Sequence, residues 1–187
     1  MRIRNTACLL AALPALAIFA QEYSADELAR SHGANILANA GFEFFDDSTR
    51  APDNWNVGGE GRVQVAPAKS GEGNLLEVQI GSDDDRVVVG QRFYGEFRPG
   101  DLLLFTADVV VGISDTAFIG YRARSAEDGE SAYVVAEHSG GGKRPLEALY
   151  RVQEGLEYVE LRMVVAKPTK NPVEFSNLRA TVMPVIP

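Results

Sequence analysis

Four stretches of this chain alternate residue by residue between a mainly apolar set and a mixed set, and loop-forming residues fall between them. Leu103, Phe105, Ala107 and Val109 alternate with Leu104, Thr106, Asp108 and Val110. Val87, Val89, Gln91 and Phe93 alternate with Val88, Gly90, Arg92 and Tyr94. Ile119, Tyr121 and Ala123 alternate with Phe118, Gly120, Arg122 and Arg124, and Val159, Leu161, Met163 and Val165 with Tyr158, Glu160, Arg162 and Val164. Successive side chains of a strand point to opposite faces, so a period of two places each first set on a core face. The reverse assignment would bury unpaired charges. Glycine, proline and acidic clusters at 67–73, 81–85, 99–100, 127–129, 139–142 and 167–172 break the runs. Short strands at that spacing predict an all-β antiparallel sandwich. Leu146, Leu149 and Tyr150 fit a helical turn as well as a strand.

The N-terminus reads differently. Arg2 and Arg4 precede an apolar run at 7–17, and Ala17 and Ala20 each offer a cleavage point, the pattern of a secretory signal peptide over 1–20. The run is too short to span a bilayer as a helix. Residues 21–34 form a leader in which Ser24 and Glu27 suit a capping box. Loss of residues 1–20 removes Arg2, Arg4 and no acidic residue, leaving 16 basic side chains against 26 acidic, a net charge of −10. So acidic a surface repels phosphate backbones and anionic lipids, which argues against nucleic acid and membrane insertion. Cys8, the single cysteine, leaves with the signal, so disulfides cannot staple the mature domain. The expectation is one secreted or periplasmic domain over 35–184.

Three segments carry a resemblance to a known family. They are Asn35-Ile-Leu-Ala-Asn-Ala-Gly-Phe-Glu43 with Trp55 following, Gln91-Arg-Phe-Tyr-Gly-Glu-Phe-Arg-Pro-Gly100 running into 102–111, and Val173-Glu-Phe-Ser-Asn-Leu178. Over residues 35–182 the chain resembles carbohydrate-binding modules of the xylan/glucan-binding type, with a galactose-binding-domain-like β-sandwich. The resemblance implies a jelly roll and, in many such modules, a structural calcium. Glu43 and Ser70 match two elements of that calcium site, while Ser176 and Asn177 stand where the family has an aspartate pair. The expected metal set is therefore Glu43, Ser70 and Asn177, with one carboxylate fewer than calcium favours. A second departure is Asp108, which replaces a frequent tryptophan.

Catalytic patterns are missing. His32 and His138 are the only histidines, and neither falls in a recognisable nucleophile or zinc motif. The acidic pairs and runs, Asp46-Asp47 and Asp83-Asp84-Asp85, read as solvated loops. The chain is expected not to be an enzyme. Trp55 reads as a structural ring where the first loop folds onto the core. The candidate ligand set is Arg92, Tyr94, Asp108, Phe118, Arg122 and Arg124, with Thr106 beside them, all on the faces opposite the core. Aromatic rings there would stack on sugars, and guanidiniums would bind carboxylates. The same residues also read as an ordinary solvated face of cross-strand pairs. Two functions stay open: an exported, non-catalytic polysaccharide-binding protein, or an envelope protein–protein interaction module on the same fold.

Overall fold

The computed structural model describes residues 35–81, 86–94, 97–126 and 129–184. The expected signal peptide, the leader and Asp83-Asp84-Asp85 lie outside the described residues. Ten strands follow in order: β1 (Asn56–Gly59), β2 (Arg62–Pro67), β3 (Asn74–Gln79), β4 (Val87–Tyr94), β5 (Leu102–Val111), β6 (Thr116–Ser125), β7 (Gly129–Ser139), β8 (Gly142–Arg151), β9 (Leu156–Val165) and β10 (Val173–Met183). They form two five-stranded sheets, ordered β1-β4-β9-β6-β7 and β2-β3-β10-β5-β8. Every pairing is antiparallel. From β3 to β10 this is the strand order of a jelly roll, as expected.

The alternation in sequence becomes the core. Phe105, Val109, Ile119, Tyr121, Val159, Leu161, Met163 and Val165 are all buried between the sheets. The ambiguous stretch at 146–150 is strand, because β8 pairs with β5 along its length and register sets Leu146 opposite Ala107. Leu146 and Ala148 then face the core and Leu149 faces out. Tertiary pairing decides where local pattern does not.

Two polar side chains tie the interior together. Gln91, on the inner face of β4, accepts the Ala38 N–H at 2.8 Å and donates to the carbonyls of Ala38 and Asn54 at 2.9 and 3.0 Å. This buried amide therefore pins the first segment against β4. Tyr121 reaches from β6 across the sandwich and donates to the carbonyls of Leu103 and Ala148 at 2.7 and 2.6 Å. Burial pushes its phenol far above the usual range, so it stays a donor.

Trp55 is structural, as expected. It is buried, packs 5.7 Å from Phe42 and donates its indole N–H to Asn39 O at 3.3 Å. At the other end, Gly140, Gly141 and Gly142 all have left-handed backbones, with φ of 85°, 89° and 87°. That path suits residues without a Cβ and carries the chain from β7, an edge of one sheet, to β8, an edge of the other.

Candidate functional site

The outer face of the β1-β4-β9-β6-β7 sheet is built from four cross-strand rows, fixed by register. Val88, Val164 and Phe118 form the first, and Gly90, Arg162 and Gly120 the second. Arg92, Glu160 and Arg122 form the third, and Tyr94, Tyr158 and Arg124 the fourth. Asn56 of β1 extends the second row beyond Gly90. An apolar ridge thus faces a charged and aromatic ridge, with the glycine row between them. Both glycines are buried, and the Glu160 side chain lies against Gly90, with Cγ 3.3 Å from where a Cβ would stand.

Glu160 is the electrostatic centre of this face. Its side chain is 8% exposed and lies 3.5 Å from Arg92 Nη2 through Oε1. Through Oε2 it lies 3.2 Å from Arg162 Nε. That second contact is close enough for attraction, yet the N–H is not aimed at the oxygen. Among the described residues, Arg162 Nε, Glu160 Oε2 and Arg92 Nε are buried and meet no hydrogen-bond partner. Arg122 stands beside Glu160 as its register partner on β6. Burial, and then the charges of Arg122, Arg86 and Arg92, lower the Arg162 pKa against the opposing pull of Glu160.

Aromatic contacts order the neighbouring row. The Arg92 guanidinium lies 4.3 Å over the Tyr158 ring, and its Nη1 is 3.4 Å from the Tyr94 hydroxyl. The hydroxyl contact, opposed by burial and aided by Glu160, raises the Arg92 pKa. Tyr94 and Tyr158 meet edge to face at 5.9 Å, leaving Tyr94 63% exposed. Tyr94 therefore presents a ring to solvent from a supported position. Arg124 pairs with Glu157 at 3.0 Å at the rim, with both side chains about half exposed; such pairs contribute little.

Five of the six expected ligand residues share this face: Arg92, Tyr94, Phe118, Arg122 and Arg124. Asp108 does not. It projects from β5 in the other sheet, where Lys143 Nζ and Asn177 Nδ2 each contact its Oδ2 at 2.8 Å. Burial raises its pKa, but those two partners outweigh burial and leave it below the usual carboxylate range. Thr106 follows it onto β5. The correction has a geometric cause: alternation tells which side of a strand a residue takes, and says nothing of which sheet the strand joins. The same blindness hides Tyr158, Glu160 and Arg162, whose importance depends on β9 lying between β4 and β6. Their signal in the sequence is a charged pair on the polar side of an apolar strand.

The expected metal set is a poor donor cage. Asn177 has a left-handed backbone at the irregularity where β10 pairs with β5, and its amide nitrogen is committed to Asp108. The Ser70 hydroxyl turns toward Glu72 O at 3.5 Å within the β2–β3 hairpin. Glu43, exposed, is left as the one carboxylate of the three, and calcium draws on several. Among the described residues, no three His, Cys, Asp or Glu side chains cluster to hold a metal. His138 is buried and turned toward Gly142 O at 3.0 Å through Nε2. It takes up the β7–β8 turn.

No family model matches the chain, and no curated protein matches it. Solved structures do. The CBM22-1 xylan-binding domain from Paenibacillus barcinonensis Xyn10C is 12% identical over 82% of this chain and 97% of its own, with a TM-score of 0.57. TmCBM61, in complex with β-1,4-galactotriose, is 13% identical over 80% of this chain and 99% of its own, with a TM-score of 0.57. A Stig cyclase, Fisc from Fischerella sp. TAU, is 14% identical over 81% and 98%, with a TM-score of 0.55. The chain spans only 21% of another match, the enzymatically active domain of bacteriophage CBA120 tailspike protein 4. At such identities the likeness establishes the β-sandwich shared with carbohydrate-binding modules. It assigns no activity.

Proposed function

We propose that this protein is an exported, non-catalytic carbohydrate-binding protein that recognises a polysaccharide through the outer face of the β1-β4-β9-β6-β7 sheet. The observation that carries the reading is the juxtaposition on that face. An exposed Tyr94 ring, braced by Tyr158 and Arg92, borders the row in which Arg92 and Arg122 flank Glu160. Sugars present apolar faces and rings of hydroxyls together, and this arrangement offers a stacking surface and donors a few ångströms apart. Two matched proteins with nearly the same extent are a xylan-binding domain and a module in complex with a galactotriose, which supports the reading. Because a cyclase shares the fold, the non-catalytic part rests on the site: its central carboxylate, Glu160, lies among guanidiniums.

The test is electrophoretic retardation of the secreted chain in gels containing soluble polysaccharides. The double variant Arg122→Ala with Tyr94→Ala should abolish the retardation of the wild type while lowering Tm by no more than a few degrees. Retardation unchanged in the double variant moves the site elsewhere. No retardation across the panel, with recovery of one specific envelope protein in a pull-down, replaces the reading with an interaction module. Release of reducing ends from a retained polymer would make the protein an enzyme. Calcium at Glu43, Ser70 and Asn177 stays outside this proposal, because those three side chains bring a single carboxylate.

A further inference from the structure

We infer that the Tyr94 hydroxyl is the hydrogen-bond donor this face offers to a sugar, and that Arg92 is its positioning residue, held from beneath by Glu160. The inference rests on the glycan-binding reading and deepens it, separating a group that touches the ligand from groups that act through it. Register brings the four side chains together. Arg92 and Tyr94 stand two apart on β4, Glu160 and Tyr158 two apart on β9, and the pairing sets Arg92 against Glu160 and Tyr94 against Tyr158.

Arg92 belongs to the expected ligand set, yet its guanidinium is engaged within the protein. It lies 4.3 Å over the Tyr158 ring, and Nη2 is 3.5 Å from Oε1 of the buried Glu160. Nε is closed to solvent, and Nη1 is 3.4 Å from the Tyr94 hydroxyl. A planar group placed between a ring, a carboxylate and a hydroxyl has a set orientation. Glu160 is too deep to meet a ligand and acts through Arg92.

The consequence for Tyr94 follows from which groups can donate. A guanidinium gives protons and accepts none, while a phenol has one proton to give and two lone pairs. The Arg92 N–H therefore occupies an acceptor position on the Tyr94 oxygen and leaves the phenolic proton for another partner. At 3.4 Å the contact is long, and the charge on Arg92 strengthens it. A cation at that oxygen also polarises the O–H bond and makes it a better donor. Tyr94 meets Tyr158 edge to face at 5.9 Å and is 63% exposed, so the ring is braced while most of its surface stays in solvent. A sugar stacked on the ring meets this donor at the rim. Ring and glycosidic oxygens suit it, because they accept and cannot donate.

The experiment measures retention of wild type, Tyr94→Phe, Arg92→Met and the double variant in gels of a soluble polysaccharide panel that includes xylan and galactan. Tyr94→Phe keeps the stacking ring, deletes only the hydroxyl and, at an exposed position, leaves folding intact. It should weaken binding roughly three- to tenfold, the scale of one hydrogen bond. Arg92→Met should weaken binding of the wild type and change that of the Tyr94→Phe variant little, because both substitutions remove the same interaction. A merely structural role for Arg92 gives losses that multiply. Where Arg92→Met folds poorly, Tyr94→Phe alone decides. Wild-type retention of Tyr94→Phe, or multiplying losses, overturns the inference and leaves glycan binding intact. No retention of the wild type by any polymer overturns the inference together with the reading beneath it.

Discussion

Replacing Tyr121 by phenylalanine isolates the contact that locks the two sheets. The hydroxyl is carried by β6 and accepted by carbonyls of Leu103 on β5 and Ala148 on β8, so one proton bridges the sandwich. Tyr121 is 1% exposed, and no solvent reaches the carbonyls through it. Phenylalanine fills nearly the same volume, which limits any cavity contribution. What remains is the loss of a shared hydrogen bond and the burial of acceptors that no longer meet a donor. An unsatisfied buried group costs about 1–3 kcal/mol, and a strand carbonyl keeps a second lone pair for its ladder, so about 1–2 kcal/mol is expected. For a domain near this size each kcal/mol moves Tm by roughly 2–4 °C, giving a fall of roughly 2–8 °C. Calorimetry of wild type and variant at neutral pH measures it, with chemical denaturation to check that the m-value is unchanged. An unchanged or raised Tm would refute the claim that this hydroxyl ties the sheets. Since the ring points into the core, glycan retention should be unaffected.

Gly90→Ala should destabilise by about 1–3 kcal/mol, the usual cost of overpacking, because the new methyl meets the Leu161 carbonyl; a thermal melt at wild-type stability would contradict this. Asp108 is held below the ordinary carboxylate range by Lys143 and Asn177 against its burial, and hydrogen bonds from Ser48 and Thr49 bring Asp46 to about 2. Both contribute stability fully above the ordinary carboxylate pKa and lose it as pH falls through the depressed folded values, so Tm should drop on acidification from roughly pH 4 downward. Asp108→Asn should flatten that drop while leaving glycan retention intact, and a loss of retention would return Asp108 to the site. Chelation should lower Tm if Glu43, Ser70 and Asn177 hold calcium, and an unchanged melt removes the ion from the account.

The strands were legible because burial imposes a period of two, and Phe105, Ile119, Tyr121 and Leu161 all take the predicted face. Trp55 was legible too, as a ring closing the first loop onto the core. The site was half legible. Arg92, Tyr94, Phe118, Arg122 and Arg124 were found because each stands on the polar side of an apolar strand. Asp108 was wrongly grouped with them because strand order is a long-range property: β5 follows β4 in the chain but pairs with β8 and β10. Glu160 and Arg162 stayed hidden for the converse reason. They are far from Arg92 in sequence, and only the insertion of β9 between β4 and β6 gathers them into one group. Gly90 reads as a break in an alternation, and its packing role emerges only when register brings Leu161 and Glu160 of β9 against it.

The most direct measurement is a backbone and arginine-side-chain NMR titration of the labelled protein with the oligosaccharide that the retardation assay selects. The account predicts shifts concentrated at Arg92, Tyr94, Phe118, Arg122, Arg124 and Tyr158. Shifts gathered instead on the β2-β3-β10-β5-β8 sheet, around Asp108, Lys143 and Asn177, would contradict it.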